Sequence, residues 1–322
     1  MERNPLQDRA SLLADVAEMY YLEEKNQAEI AKTIGVTRSM ISRMLTEARE
    51  SGIVDIRIQR PLQSDSDLES RLKEEFDLMD VCVVISSHRT GERLTRILGN
   101  AGAKLLARFL APQKTLGLAW GTSISATVDA FETTDLLPVK VVQLVGAMGA
   151  HNMEYDGHDL VARITEKIGG EAFYLNAPYL CQNSEMAKSL LETKSIMEAI
   201  SVGKKTDVAL LGVGTTSPEY SSFYLAGYVT HRELDELRKA GAVGDVCGLH
   251  FDINGQPACD DFCDRLVSIR RQDLLSIPVR LGVAGGEGKA EAILGALRSK
   301  YVNVLVTDSA IARKVLEMAK LK

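Results

Sequence analysis

The sequence predicts an α/β protein in two parts: an N-terminal winged helix-turn-helix over residues 1–61, and a Rossmann-like, parallel-sheet domain over residues 62–322. Three features carry that reading. Apolar residues before Gly52 recur at helical spacing, with a sharp break at Gly35. Pro61 closes a short alternating run and opens a polar stretch, LQSDSDLESRLKEEFDL (62–78), which turns amphipathic and reads as a linker running into a helix. Beyond Val81, short apolar runs alternate with helical stretches, the pattern of a sheet covered on both faces.

In the first part, Leu12, Leu13, Val16, Ala17 and Tyr20 share one helix face. Asn26 followed by Glu29 has the form of a capping box for a second helix, which offers Ile30, Ala31 and Ile34 to a core and breaks at Gly35. Thr37 is placed to cap a third helix from Arg38 to about Glu50. Its apolar side is Ile41, Met44, Leu45 and Ala48. Arg38, Ser39, Ser42, Arg43 and Thr46 fall on the opposite side, free of acids until Glu47. Arginines and hydroxyls on one exposed helix face suit the major groove of DNA, where arginine donates to guanine edges and hydroxyls reach bases or phosphates. The alternating run Ile53–Ile58 reads as a wing, with Arg57 and Arg60 positioned to approach phosphates. A plain three-helix subdomain with solvated arginines is the blander alternative.

In the second part the expected strands are Val81–Ile85, Thr115–Trp120, Val139–Val145, Val208–Leu211, Val279–Val283 and Val302–Thr307, with helices such as Glu92–Leu110 and Glu291–Leu297 between them. Ligands of such sheets sit at the carboxyl ends of the strands. Three of those ends are glycine-rich. Trp120 leads into Gly121-Thr122-Ser123 at a helix start, a candidate phosphate cradle of hydroxyls and free amides. Leu211 leads into Gly212-Val213-Gly214-Thr215-Thr216, and Val283 is followed by Gly285-Gly286-Glu287-Gly288-Lys289, whose lysine can neutralise a phosphate. Tight turns need glycine in any case; three such loops in one domain point to an anion or sugar pocket. Asp245 and Asp252 flank a turn-rich stretch, as sugar ligands or as turn formers. The run HNMEYDGHD, with His151, Asp156, His158 and Asp159, has metal-ligand residue types but reads more simply as a polar loop with a helix cap.

Composition narrows the class. There is no run of eighteen apolar residues, so no membrane span is expected, and the acid-containing start is not expected to be a signal or transit sequence. The net charge of −6 does not advertise nucleic-acid binding, so any basic footprint has to be local. Five scattered cysteines, Cys82, Cys181, Cys247, Cys259 and Cys263, suit buried thiols in a reducing cytoplasm rather than a metal set. No cofactor and no metal is expected.

Taken with QAEIAKTIGVTRSMISRML (27–45), AWGTS (119–123), GAVGD (241–245) with HFDINGQ (250–256), and IPVRLGVAGGEGKAEAILGAL (277–297) with YVNVLVTD (301–308), the chain resembles the SorC/DeoR group of sugar-binding transcriptional regulators over nearly its whole length. The last stretch is the most specific, and the autoinducer regulators of the group echo it. The resemblance implies a winged helix-turn-helix followed by an effector domain similar to ribose-5-phosphate isomerase and glucosamine-6-phosphate deaminase. It also implies a homodimer or homotetramer on operator DNA, and a small sugar or sugar-phosphate effector. It further implies a ligand phosphate at Gly121-Thr122-Ser123, aided by Lys289, with Asp245 at the sugar end. In the loop after the third strand, the deoxyribonucleoside regulators carry a lysine where this chain has Val145-Gly146-Ala147. Gly146 is counted with the effector residues, and a covalent imine is not expected. The rival class is a sugar-phosphate isomerase or deaminase, which needs a base beside a carbonyl; Asp245, Glu287 and His250 are the candidates.

Overall fold

The computed structural model describes residues 5–54, 62–85, 90–133, 136–149 and 155–321. It divides into two compact units, Met1–Pro61 and Leu62–Lys322. Arg57, Arg60 and most of the expected wing lie outside the described residues, as does His151.

The described residues of the first unit form three helices, α1 (Pro5–Tyr21), α2 (Gln27–Ile34) and α3 (Arg38–Glu50). The capping box forms: Asn26 Oδ1 accepts from the Ala28 and Glu29 amides, and the Glu29 carboxylate accepts from the Asn26 amide at 2.9 Å. Gly35 ends α2 in the left-handed conformation, and Thr37 Oγ1 caps α3 by accepting from the Met40 amide at 3.3 Å. Leu13, Val16, Ala17, Ile30, Ala31, Ile41, Met44, Leu45 and Ala48 make the core. Tyr20, expected on that face, is instead 36% exposed and packs edge-on against Tyr21.

The second unit is built on a sheet of β1 (Asp80–Val84), β2 (Thr115–Leu118), β3 (Lys140–Gln143), β4 (Glu171–Phe173), β5 (Val208–Leu211), β9 (Val279–Val283) and β10 (Val304–Asp308), in the order β1-β10-β9-β5-β2-β3-β4 with parallel pairing between neighbours. Each expected apolar run holds one of these strands. The strand at Glu171–Phe173 was not expected: it is three residues long, part-exposed and at the sheet edge, so it lacks the buried apolar signature. Equally unexpected is an antiparallel sheet of β6 (Gly214–Thr215), β7 (Gly244–Val246) and β8 (Leu249–Phe251). Cys247 and Gly248, both at positive φ, close the two-residue hairpin between β7 and β8.

The segment after Pro61 is more than a linker. The Asp65 amide donates to the Val83 carbonyl and the Ile85 amide to the Gln63 carbonyl, each at 2.9 Å, so the segment covers the edge of β1 before α4 (Ser66–Phe76) begins. Among the helices on the sheet, α5 (Gly91–Phe109) and α6 (Thr122–Ala130) approach most closely. A Cβ on Gly99 would sit 2.5 Å from the backbone carbonyl group of Ala126. This contact sets where α6 starts, hence where its free amides point. Gly99→Val is expected to lower stability by about 1–3 kcal/mol, read as an earlier urea midpoint at unchanged slope.

Candidate ligand site and nucleic-acid interface

The strand order reverses between β2 and β5, which run parallel. From β2 the sheet grows through β3 to β4 on one side, and through β5, β9 and β10 on the other. Loops leaving β2 and β5 therefore diverge and leave a crevice, the usual ligand position in open parallel sheets. A cavity of about 330 Å³ occupies it, lined by the ends of β2, β5 and β9, the start of α5 and residues of β6 and β7.

Gly121 opens α6 with φ +130°, a conformation that L side chains rarely adopt. Its amide donates to the Tyr155 carbonyl at 3.1 Å, and no side chain caps the helix. The first-turn amides of a helix have no intrahelical acceptors, so those at Thr122 and Ser123 are oriented for an anion. Across the cavity, Lys289 precedes α14 (Ala290–Arg298). Its ammonium donates to the Val213 carbonyl at 2.7 Å, which leaves further N–H donors for a ligand. Burial outweighs the upward pull of Asp245 and brings the Lys289 pKa down to about 8. Asp245 on β7 is buried, and one of its carboxylate oxygens accepts from the Gly248 amide at 2.9 Å. Gly214 lets that carboxylate approach, since its Asp245 neighbour lies where a Cβ would be.

The cavity thus gathers Gly121, Thr122, Ser123, Gly212, Gly214, Asp245, Gly285, Gly286 and Lys289 from the residues singled out in the sequence. Gly146, counted with the effector residues in the sequence, is not among the residues that line this cavity. A Cβ there would lie 2.7 Å from the Ala177 carbonyl oxygen, so this glycine serves backbone packing between two chain segments. Asp252 is a turn former, accepting from the Asn254 and Gln256 amides. Asp156 caps α7 (Gly157–Ile168) and His158 stacks on Tyr174 at 4.1 Å. Among the described residues no group of three or more His, Cys, Asp or Glu is placed to hold a metal.

Sequence reasoning missed one wall. Trp120, Tyr220, Ser222 and Phe223 line the cavity, with Thr90, Gly91, Leu94 and Thr95 at the start of α5. Phe223 stands edge-to-face with Trp120 at 5.6 Å and stacks on buried Tyr179 at 5.4 Å. Tyr220 donates its hydroxyl to Glu287 at 3.1 Å, joining the segment after β6 to the glycine loop after β9. Burial holds His250, behind Phe223, below its ordinary pKa and pushes the thiols up, Cys82 and Cys263 to about 11.

On the first unit, Arg38, Ser39, Ser42, Arg43 and Thr46 lie exposed or half-exposed along α3, with Thr37 at its start, opposite the buried Ile41, Met44, Leu45 and Ala48. Glu47, the acid nearest this face, is held by the Arg9 guanidinium.

Residues 60–317 match the family model described as "Putative sugar-binding domain", and residues 14–51 match the model of region 4 of sigma-70. The chain belongs to this sugar-binding family. It is 30% identical to the deoxyribonucleoside regulator of Bacillus subtilis (strain 168), over 96% of this chain and 98% of that one. It is 28% identical to the transcriptional regulator LsrR of Escherichia coli (strain K12), over 94% of each. The crystal structure of the full-length sorbitol operon regulator SorC from Klebsiella pneumoniae superposes with a TM-score of 0.71 at 29% identity, covering 96% of this chain and 99% of that one. The resemblance read from the motifs and the α/β architecture with a parallel sheet both stand.

An anion placed beside Lys289 is expected to bind in a pH-dependent way. In the free protein its amine is charged below about 8 and neutral above; a neighbouring anion favours the charged form. Binding therefore takes up a proton above that pH, and affinity for a sugar phosphate is expected to fall by up to about tenfold per pH unit there. Below about 8 it is level down to pH 7, where the phosphate is still largely a dianion. Emission from Trp120, the single tryptophan and a cavity residue, reports it. Lys289→Met is expected to bind weakly with a flat profile.

Proposed function

We propose that a small phosphorylated sugar binds in the strand-end cavity and thereby changes the affinity of the helix-turn-helix for operator DNA. The chain is a sugar-responsive, DNA-binding transcription regulator: the family match and the regulators aligned over nearly its whole length carry that statement. The finer reading rests on one observation, the convergence of the uncapped start of α6, the Lys289 ammonium and the Asp245 carboxylate on one cavity at the switch point of the sheet.

In this reading the phosphate takes the Thr122 and Ser123 amides and hydroxyls together with Lys289, while sugar hydroxyls donate to Asp245. The glycines Gly121, Gly212, Gly214, Gly285 and Gly286 let the ligand approach the backbone. Arg38, Ser39, Ser42, Arg43 and Thr46 enter the major groove, with Thr37 at the helix start and Arg57 on the backbone phosphates. The chain works as a homodimer or homotetramer, so effector binding favours one subunit arrangement and with it one spacing of operator half-sites. No side chain is assigned a catalytic step. The effector test is a thermal-shift screen of paired phosphorylated and free sugars. A ligand at a hundred times its Kd stabilises the fold by about 2.7 kcal/mol. A shift by a phosphosugar and not by its free sugar supports the reading, whereas a shift by free sugars alone removes the phosphate from it.

Arg43→Ala is expected to weaken operator binding by about 1–3 kcal/mol and to relax base preference at one position per half-site. Fluorescence anisotropy on a selected operator at several salt concentrations measures this. Unchanged affinity throughout takes Arg43 out of the interface.

A further inference from the structure

The lining polar groups occur in a definite order. Gly212 faces the Trp120 carbonyl and Ile124, at the start of α6; the Val213 carbonyl takes Lys289; and Gly214 abuts Asp245. Three consecutive residues thus mark an anion cradle, a cation and a carboxylate along a path of at most about 7 Å. Among the described lining residues those of charged type are Lys289, Asp245 and Glu287, one cation against two carboxylates. Asp245 is buried, and beyond the Gly248 amide the hydrogen bonds of the described residues bring it no other donor. Glu287 is exposed at the mouth and fixed by Tyr220.

We propose that the site selects an effector charged negatively at one end only, with a neutral or cationic far end, and that Asp245 enforces this selection with Glu287 in support. The inference rests on the phosphosugar reading above. A far-end hydroxyl or ammonium donates to the Asp245 carboxylate. A far-end carboxylate or second phosphate meets the buried Asp245 carboxylate while Lys289, the one cation of the described lining, is engaged by the first phosphate, so the like charges repel. Monophosphates of neutral sugars and amino sugars are accepted, and phosphosugar acids and bisphosphates are rejected by repulsion rather than by size.

The test holds the phosphate end constant and changes the other. The full-length chain is titrated, with Trp120 emission as readout, against glucose 6-phosphate, glucosamine 6-phosphate, 6-phosphogluconate and glucose 1,6-bisphosphate. Ribose 5-phosphate with its aldonic acid, and erythrose 4-phosphate with its own, repeat the comparison on shorter skeletons. For the skeleton that binds, the acid and bisphosphate are expected to have Kd values higher by about tenfold or more, and Asp245→Asn to narrow that gap to about threefold or less. Glu287→Gln, at an exposed position, narrows it by a smaller factor and serves if Asp245→Asn fails to fold. Acids or bisphosphates binding as tightly as the neutral monophosphate overturn the charge selection and leave the phosphate cradle standing, as does a gap that neither substitution moves. Absence of binding by every phosphosugar overturns the cradle and the selection together.

Discussion

The arrangement depends on a topological constraint: β2 has β3 on one side and β5 on the other, so the connections that leave their carboxyl ends must go opposite ways. Right-handed crossovers put the following helices on opposite faces of the sheet, and the gap above the two strands cannot be filled by either. The other site features answer to that gap. Gly121 turns the chain immediately after β2 so that α6 starts at its rim, and Gly99 allows α5 close enough to hold α6 there. The small antiparallel sheet then brings Asp245 to the same opening, because β6 continues directly from the end of β5 and pairs with β7.

Within the gap, one ammonium is held under tension. Lys289 donates to a backbone carbonyl and feels Asp245, yet desolvation still lowers its pKa to about 8. The ammonium is therefore less well stabilised in the free protein than in water, and an arriving dianion supplies what the protein lacks. In the proposed phosphosugar reading, part of the discrimination between a phosphorylated sugar and a free one resides in that shortfall: a neutral ligand would leave the lysine as it was, while a phosphate would relieve it. Trp120 and Phe223 form an aromatic wall on one side of the cavity, with buried Tyr179 stacked behind Phe223.

What the sequence reveals is what local chemistry dictates. Asn26 with Glu29, Gly35 and Thr37 fix helix ends through hydrogen bonds spanning two to four residues, and they are legible without a fold. Buried parallel strands are legible because both faces must be apolar, and glycine-rich strand ends follow from them. Residues delivered by irregular segments are not. Phe223 sits on a four-residue helix, α10 (Ser222–Leu225), between β6 and α11 (His231–Lys239), with no periodicity to mark it as a cavity wall. Gly146 shows the complementary limit: a glycine after a strand signals close approach, but the sequence does not say whether a ligand or a backbone makes it, and the Ala177–Pro178 backbone lies against this one. Lys289 and Asp245 were readable as residue types; their sharing one cavity depends on the pairing of β6 with β7, which the sequence pattern did not disclose.

The N-terminal unit solves a different problem, since a chain with a net charge of −6 must offer a polyanion an acceptable surface. Among the described residues its core holds nine buried side chains, a small core in which the helix ends matter correspondingly more. On α3 the apolar stripe is complete, which confines Arg38, Ser39, Ser42, Arg43 and Thr46 to the solvent side. Glu47 follows Arg43 by one turn and would repel a phosphate there. Arg9, reaching across from α1, donates to both oxygens of that carboxylate and holds its pKa below the usual range. The same contact ties α1 to α3. With the two side chains 43% and 44% exposed, such a pair contributes little stability of its own. Its effect is on the field: the first two turns of α3 carry no acid, and Glu47 in the third is answered by Arg9 within the unit, so the face of Arg38, Ser39, Ser42, Arg43 and Thr46 proposed to read DNA has no uncompensated acid beside it.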